Sequence, residues 1–341
     1  MTKCTILIFS AVAWVLGLTG TEAFRVGNGA SFIKGINQPW GDGGYGYYLG
    51  PDVIIYLELV FLKAFKSLHA NFWRLWCFEA GQGLNISNGQ VYGISKTFFN
   101  SLDNLVAQAG QNHVYVYPTL FSGQPGKGDM NILPNFITDI DAQVQLINNV
   151  VKPFAQHYKG NGNIGAIQIY NELNNWCNPY FRSIVGTQQQ CKKFVSAVVK
   201  AIKNVDPTRL VSVSQILIDD QWHPASSNNK DFMGTGVDFY DIHVYNDNGS
   251  LPTAKTFGLH KPVLLGEFGE STSQGTAHQS TTIKNFVSNA RKGGWAGALY
   301  WTLGEPGQNP QYSNCNDSTI LMNLYGCNGQ PRPAWYTYRS A

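Results

Sequence analysis

The feature that most constrains the fold is an alternation of short apolar segments with amphipathic stretches along the whole chain. Runs rich in β-branched and aromatic residues predict eight strands, near residues 31–38, 71–78, 113–121, 164–171, 210–215, 238–245, 262–268 and 297–303. Apolar residues at three- and four-residue spacing predict helices over 53–69, 95–110, 139–158, 187–204 and 278–292. Strands alternating with helices favour a parallel sheet over a sandwich. Eight such units predict an α/β fold, a single-domain (β/α)8 TIM barrel.

A doubly wound open sheet is the rival architecture for the same alternation. That fold normally places a glycine-rich phosphate loop directly after its first strand. Here the first strand leads into Gly-Ile-Asn-Gln-Pro-Trp over residues 35–40, which does not match that pattern. The barrel is therefore the better prediction.

The first residues have the form of an export signal. Lys3 precedes an apolar run over residues 6–18, and small residues follow up to Ala23, so we expect a signal peptide over 1–23. The run is shorter than the roughly 20 residues that a membrane-spanning helix needs. We expect a secreted, extracellular protein that does not contact a membrane, with residues 24–341 forming one catalytic domain.

Composition narrows the class of partner. Charged residues make up only 13% of the chain, the net charge is +3, and no basic cluster occurs, so a nucleic-acid partner is not expected. Aromatic residues also make up 13%, with 9 Trp and 17 Tyr, and their flat rings suit the apolar faces of sugars. We expect a polysaccharide or oligosaccharide partner, a monomer, no cofactor and no catalytic metal, because no His, Asp and Glu cluster has ligand spacing.

In an exported protein, the cysteines are candidates for disulfides and three Asn-x-Ser triplets are candidates for glycosylation. Cys4 leaves with the signal peptide, and Cys77 lies in a strongly apolar strand, where a buried free thiol is expected. The remaining cysteines enclose two short loops and are candidates for disulfides: Cys177, Cys191, Cys315 and Cys327. The candidate glycosylation sites are Asn85, Asn248 and Asn316.

Polar residues stand where several predicted strands end. Because the catalytic groups of such barrels lie at the carboxyl ends of the strands, these residues are candidates for function. The candidates on strands two, four, six, seven and eight are Arg74, Asn171, Glu172, His243, Tyr245, Glu267 and Trp301.

Glu172 and Glu267 come from strands four and seven and are expected to converge across the barrel mouth. Cleavage of a glycosidic bond needs one protonated carboxyl at the leaving oxygen and one carboxylate beneath the anomeric carbon. We predict Glu172 as acid/base and Glu267 as nucleophile. A separation of about 5 to 5.5 Å would indicate retention of configuration, and about 6.5 to 9.5 Å inversion.

The neighbouring residues have expected supporting roles. Arg74 would hold Glu267 anionic, His243 would orient Glu172, and Tyr245 would donate to the nucleophile. Asn171 is expected to bond the sugar 2-hydroxyl, and Trp301 to form the floor of the cleavage subsite. Four further tryptophans at or after strand ends could stack on sugars: Trp40, Trp76, Trp176 and Trp222.

Taken in order, these motifs resemble glycoside hydrolase family 5 of clan A, the retaining cellulases and β-mannanases. The resemblance covers nearly the whole mature chain and rests on Trp-Arg-Leu-Trp, Asn-Glu, His-x-Tyr, Gly-Glu-Phe-Gly and the Trp of strand eight. The segment Lys-Gly-Ile-Asn-Gln-Pro-Trp over 34–40 is similar to the first strand of that family's mannanases. One departure is a missing His at the end of strand three, where residues 117–120 are Tyr-Pro-Thr-Leu.

The resemblance implies an endo-β-1,4-glycanase that cleaves a plant-type polysaccharide by double displacement, with mannan or glucomannan favoured. An endo-β-1,4-glucanase or another β-glucan hydrolase is the alternative. A barrel that binds glycans without cleaving them is a further alternative, although such proteins usually lose a catalytic carboxylate and this chain keeps both. Glu79 and Glu270 are the competing carboxylates near the strand ends.

Overall fold

The predicted barrel is present in the computed structural model, which describes residues 32–39, 55–79, 81–123, 133–177, 185–217, 232–304, 321–326 and 328–341. The strands are β1 Ile33–Asn37, β2 Phe72–Trp76, β3 Leu84–Ser87, β4 Gln90–Ile94, β5 Tyr115–Phe121, β6 Ile167–Tyr170, β7 Val211–Ser212, β8 Ser214–Leu217, β9 Tyr240–Val244, β10 Val263–Phe268 and β11 Gly297–Trp301. All except β3 and β4 belong to one parallel sheet, in the order β7-β6-β5-β2-β1-β11-β10-β9-β8. The two edge strands, β7 and β8, are consecutive in the chain, so the sheet curls into a nearly closed barrel.

The fifth predicted strand differs from expectation. We expected one strand over 210–215, whereas the structure contains β7 and β8 on either side of Val213. β7 pairs with β6 and β8 pairs with β9, so this interruption is the place where the sheet's two ends meet. The other strands lie within two or three residues of their predicted bounds.

The helices pack around the outside of the barrel. They are α1 Ile55–Ser67, α2 Lys96–Gln111, α3 Ile140–Leu146, α4 Lys152–His157, α5 Gln188–Val205, α6 Thr276–Lys292 and α7 Pro333–Ser340, and a π-helical turn over Ile147–Val151 joins α3 to α4. A capping box of Thr187 and Gln190 begins α5. The sequence analysis missed the β3–β4 hairpin and α7. No helix among the described residues is both long and apolar enough to cross a bilayer.

The barrel interior changes character along the strands. Its amino-terminal part is apolar and contains Ile33, Phe72, Tyr117, Ala166, Phe239, Leu264 and Leu299. Towards the carboxyl ends the buried side chains become polar, among them Asn37, Arg74, Gln168, Asp241, His243 and Glu267. Buried polar groups are costly unless they are paired, so this end of the barrel must satisfy its own hydrogen bonds.

Export-related predictions have mixed outcomes. Cys177 and Cys191 form a disulfide that ties the segment after β6 to α5. Cys77 is free and buried, as expected. Asn85 and Asn248 are exposed. The signal peptide over 1–23 lies outside the described residues, as do Cys315, Cys327 and Asn316.

Candidate active site

A cleft of about 390 Å³ opens at the carboxyl ends of the barrel strands. Both predicted catalytic carboxylates reach it. The lining residues are Trp76, Ser122, Gly123, Asn171, Glu172, Asn175, Trp176, Tyr245, Glu267, Trp301 and Met322. A mostly pre-formed concave site with few, converging polar groups is the usual form of a small-molecule or oligosaccharide site.

Glu172 follows β6 directly, and its backbone is fixed in an unusual conformation. Its φ and ψ are 49° and 45°, in the left-handed region that non-glycine residues rarely adopt. Its backbone N–H donates to Ser214 Oγ of β8 at 2.8 Å, which ties the residue to the neighbouring wall. Asn175 Nδ2 donates to Glu172 Oε2 at 3.1 Å. The side chain is 19% exposed and so remains accessible from the cleft.

Glu267 lies on β10, at an irregularity in the ladder. The pairing of β10 with both neighbours shifts register between Leu265 and Phe268, which is the behaviour of a β-bulge. Bulges beside active sites re-aim a side chain. The Glu267 carboxylate accepts hydrogen bonds from Arg74 Nη1 at 2.5 Å and from the Tyr245 hydroxyl at 2.7 Å. Its side chain is only 5% exposed, so it lies deeper than Glu172.

Arg74 is fully buried and uses all of its donors. Nε and Nη2 both donate to Gln168 Oε1, at 3.0 and 2.6 Å. Nη1 donates to Asn37 Oδ1 at 2.8 Å as well as to Glu267, and Nη2 donates to Asn171 Oδ1 at 2.7 Å. The guanidinium fork has five N–H groups in a fixed plane, so one arginine holds the nucleophile candidate and Asn171 in register.

His243 lies between the two glutamates. Its Nδ1 is 2.9 Å from Glu172 Oε1 and 3.4 Å from Glu267 Oε1. We expected a contact with Glu172 alone. One carboxylate oxygen from each glutamate and a ring nitrogen of His243 all lie within 4.8 Å of one another. That gap is shorter than the roughly 6.5 to 9.5 Å of inverting enzymes.

The same three side chains are spaced as metal ligands would be, but the charges around them disfavour a bound metal ion. The Arg74 guanidinium already neutralises Glu267. Both ring nitrogens of His243 face carboxylate oxygens, which favours protons on both and leaves no lone pair for a metal. We assign no metal to this site.

Burial and neighbouring charges shift the pKa values of His243, Tyr245 and Glu267. Burial lowers the pKa of His243, but Glu267, Asp241 and Glu172 raise it more, to about 9. Burial, followed by the charges of Glu267 and Glu172, raises the pKa of Tyr245 well above its usual value, so its hydroxyl keeps the proton that it donates. Burial raises the pKa of Glu267, while His243, Arg74 and the Tyr245 hydroxyl oppose that shift. Burial, together with the charge of Glu172, outweighs these opposing groups, so the pKa of Glu267 is raised above its usual value.

Aromatic rings flank the carboxylates. Trp301 and Trp76 line the cleft with ring centroids 5.6 Å apart. Trp176 ends a short 3-10 helix that begins directly after Glu172, and it also lines the cleft. The predicted Trp40 and Trp222 lie outside the described residues.

The end of strand three agrees with the predicted range of 113–121, since β5 ends at Phe121. Residues 117–120, where the His is missing, lie within this strand, and Ser122 and Gly123 are the residues that reach the cleft. Ser122 Oγ accepts a hydrogen bond of 3.3 Å from Asn171 Nδ2. A small hydroxyl residue therefore occupies this wall, consistent with the absence of a His there.

The sequence analysis missed several residues that hold the site together. Asp241 lies two positions before His243 on the same strand, so both side chains point into the barrel, and this parity could have found it. Nothing in the local pattern marks the others, because their roles depend on contacts between distant strands. They are Asn37, Gln168, Asn175 and Ser214.

Known proteins resemble this chain in both sequence and fold. A mannan endo-1,4-beta-mannosidase from Mytilus edulis is 23% identical, over 89% of this chain and 95% of that protein. The X-ray structure of the beta-mannanase from the same mussel superposes with a TM-score of 0.67 at 22% identity, covering 80% of this chain and 86% of the other. The endo-1,4-beta-mannanase structure from Eisenia fetida has a TM-score of 0.68 at 20% identity, over 93% and 91% of the two chains.

Family membership follows from a match to the sequence model of a protein family. The sequence model described as "Cellulase (glycosyl hydrolase family 5)" matches residues 58–306, more than two thirds of the chain. That span contains every catalytic and supporting residue predicted from the strand ends, from Arg74 to Trp301. The barrel, the paired carboxylates at its mouth and this match agree: the chain belongs to glycosyl hydrolase family 5.

Proposed function

We propose that this protein is a secreted endo-β-1,4-mannanase that cleaves mannan or glucomannan with retention of configuration. The observation that carries the proposal is the juxtaposition of Glu172 and Glu267, whose nearest oxygens lie within 4.8 Å at the cleft. A gap of this size supports a direct nucleophile rather than an intervening water. The mannan-cleaving activities named for the Mytilus edulis and Eisenia fetida proteins favour mannan over cellulose.

In this mechanism Glu172 protonates the leaving oxygen while Glu267 attacks the anomeric carbon and forms a glycosyl-enzyme ester. Glu172, now a carboxylate, then takes a proton from water, which attacks the same carbon and releases Glu267. Asn171, oriented by Arg74, is placed to bond the sugar 2-hydroxyl. Trp301, Trp76 and Trp176 offer faces on which successive sugar rings can stack.

Hydrolysis of a panel of polysaccharides tests the substrate. We expect reducing sugar from mannan and glucomannan, and much less from carboxymethyl-cellulose and laminarin. Solution viscosity should fall before much reducing sugar accumulates, since internal cleavage shortens chains quickly. Proton NMR of the first product should give the β-anomer. Preference for carboxymethyl-cellulose would replace the proposed substrate with cellulose, and binding without hydrolysis would indicate a glycan-binding barrel.

Secretion and glycosylation complete the proposal. Residues 1–23 would direct export of the protein and be removed in the process. The exposed Asn85 and Asn248 are accessible to glycan transfer in a eukaryotic host. We also propose that the protein acts as a monomer. The intact mass of protein recovered from the medium, before and after glycan removal, tests cleavage and modification together. An uncleaved amino terminus would contradict export by this signal.

A further inference from the structure

Asp241 is a buried carboxylate that the double-displacement mechanism does not use. It lies on β9, its exposed fraction is 0%, and it is two residues before His243. Its Oδ2 accepts hydrogen bonds from the Tyr117 hydroxyl at 2.8 Å and from Gln168 Nε2 at 2.7 Å. Its Oδ1 has no hydrogen bond of good geometry among the described residues, yet it lies 3.2 Å from His243 Nε2. A charge held this deep in a barrel calls for a compensating partner.

The Asp241 carboxylate packs closely against Gly266 of β10. A β-carbon added at Gly266 would lie 1.7 Å from Asp241 Oδ1, so no other residue fits at this position without moving the carboxylate. Gly266 directly precedes Glu267, at the bulge in β10. The absence of a side chain at Gly266 therefore leaves room for the Asp241 carboxylate beside the bulge that carries Glu267.

Both nitrogens of His243 face carboxylate oxygens. Nδ1 is 2.9 Å from Glu172 Oε1 and 3.4 Å from Glu267 Oε1, and Nε2 faces Asp241. An unprotonated Nε2 would direct a lone pair at Asp241, and an unprotonated Nδ1 would direct one at Glu267, which is repulsive in a buried site. Protons on both nitrogens make both contacts attractive, although Nε2 and Asp241 Oδ1 are not aligned as a hydrogen bond.

The charges facing His243 then balance. The cations are His243 itself and Arg74 of β2, and the carboxylates paired with them are Asp241 and Glu267. Tyr117 of β5 and Tyr245, the residue directly after β9, contribute neutral hydroxyls. With two charges of each sign, the site is neutral when Glu172 carries the proton that it must deliver. Removal of Asp241's charge would leave an excess of one positive charge, which the site would relieve by releasing a proton.

We propose that Asp241 is a positioning residue for the catalytic pair: its carboxylate keeps the His243 imidazole doubly protonated and oriented so that Nδ1 donates to Glu172. This inference rests on the proposed hydrolase function, since it assigns Glu172 as the proton donor. Asp241 does not line the cleft and acts through its neighbours: directly on His243, and through Gln168 on Arg74.

The variant Asp241→Asn keeps the shape of the side chain and removes its charge. We expect kcat/KM on mannan at pH 7 to fall at least tenfold. The alkaline limb of the pH profile should move to lower pH by about 1 to 3 units, the size of shift that one close charge produces. Activity should recover towards the wild-type value as the pH falls, because acid restores the missing proton. An equal loss at every pH, with the limb unmoved, would mean a structural role only and would overturn the proposal.

Tyr117→Phe is the matched control. It removes a neutral hydrogen bond from the same carboxylate and leaves its charge and His243 in place. We expect a less stable protein with an unmoved alkaline limb. A limb that moves as far as in Asp241→Asn would contradict an effect specific to charge.

A measurement on the unaltered protein decides the point if Asp241→Asn fails to fold. Nitrogen NMR of histidine-labelled protein, with the His243 signals assigned from a His243→Asn variant, should give both ring nitrogens protonated at pH 7. A bare nitrogen at that pH would overturn the proposal. This readout does not depend on catalysis, so inactivity of the wild-type protein on every polysaccharide would refute the proposed function and not this charge assignment.

Discussion

Replacing Glu267 with Gln should lower kcat on mannan by about four orders of magnitude or more while the protein stays folded. The amide keeps an oxygen that can accept from Arg74 or Tyr245, so the hydrogen-bond frame is largely preserved. What it loses is the anion proposed to attack the anomeric carbon, and among the described residues that line the cleft the other carboxylate is Glu172, the proposed acid. Water alone would have to replace it.

Steady-state rates together with thermal unfolding measure this effect. Glu270→Gln is the matched control: Glu270 lies three residues further along the same segment, and its Oε1 accepts from Ser271 N rather than contacting the site. We expect near-normal turnover from that control. A 2-fluoro-glycosyl inactivator should also label Glu267 in the wild-type protein. Normal turnover in Glu267→Gln, or labelling at another carboxylate, would refute the assignment of the nucleophile.

Replacing Glu172 with Ala should have a large effect that depends on the leaving group. General acid catalysis contributes roughly 10²- to 10⁴-fold, and a polysaccharide leaving group needs all of it. We expect kcat/KM on mannan to fall within that range, and far less on an aryl glycoside whose phenol leaves without protonation. The glycosyl-enzyme should then accumulate, because the base that activates water is also absent.

Azide distinguishes the loss of an acid/base from general damage. It needs no general base, so it should restore turnover of the aryl substrate and give a β-glycosyl azide. The Asn175→Ala protein is a useful comparison, since it removes a hydrogen bond from Glu172 and keeps the carboxyl group. Equal loss of activity on mannan and on the aryl glycoside, with no azide rescue, would contradict the proposed role of Glu172.

The agreement between prediction and structure has a physical basis in the local pattern. Barrel strands are buried on both faces, so each is a short apolar run that stands out from the amphipathic helices around it. Strand ends were placed well enough to put Glu172 and Glu267 at the same rim. The two missed elements, the β3–β4 hairpin and α7, are short and depend on packing against α3, α4 and α6 more than on their own periodicity.

The sequence predicted only those site residues that stand at or near the end of a strand. Arg74, His243 and Tyr245 were found because each stands at or near a strand end, and their contacts with the glutamates agree with expectation. The position of His243 between both glutamates was not foreseen. Ser122 was not singled out, because its approach to the cleft depends on the pairing of β5 with β6, which a single segment does not reveal.

The sequence by itself determined the eightfold alternation, the order of the polar strand ends and the placement of Glu172 and Glu267 at the ends of two strands, because each of these depends on local residue type and spacing. Only the tertiary structure decided how those groups are held. The split of strand five at Val213, the bulge that turns Glu267 inward and the buried charge of Asp241 all arise from closing the sheet on itself. Closure brings β2, β6, β9 and β10 within hydrogen-bond distance, so proton positions in this site depend on contacts between residues far apart in the chain.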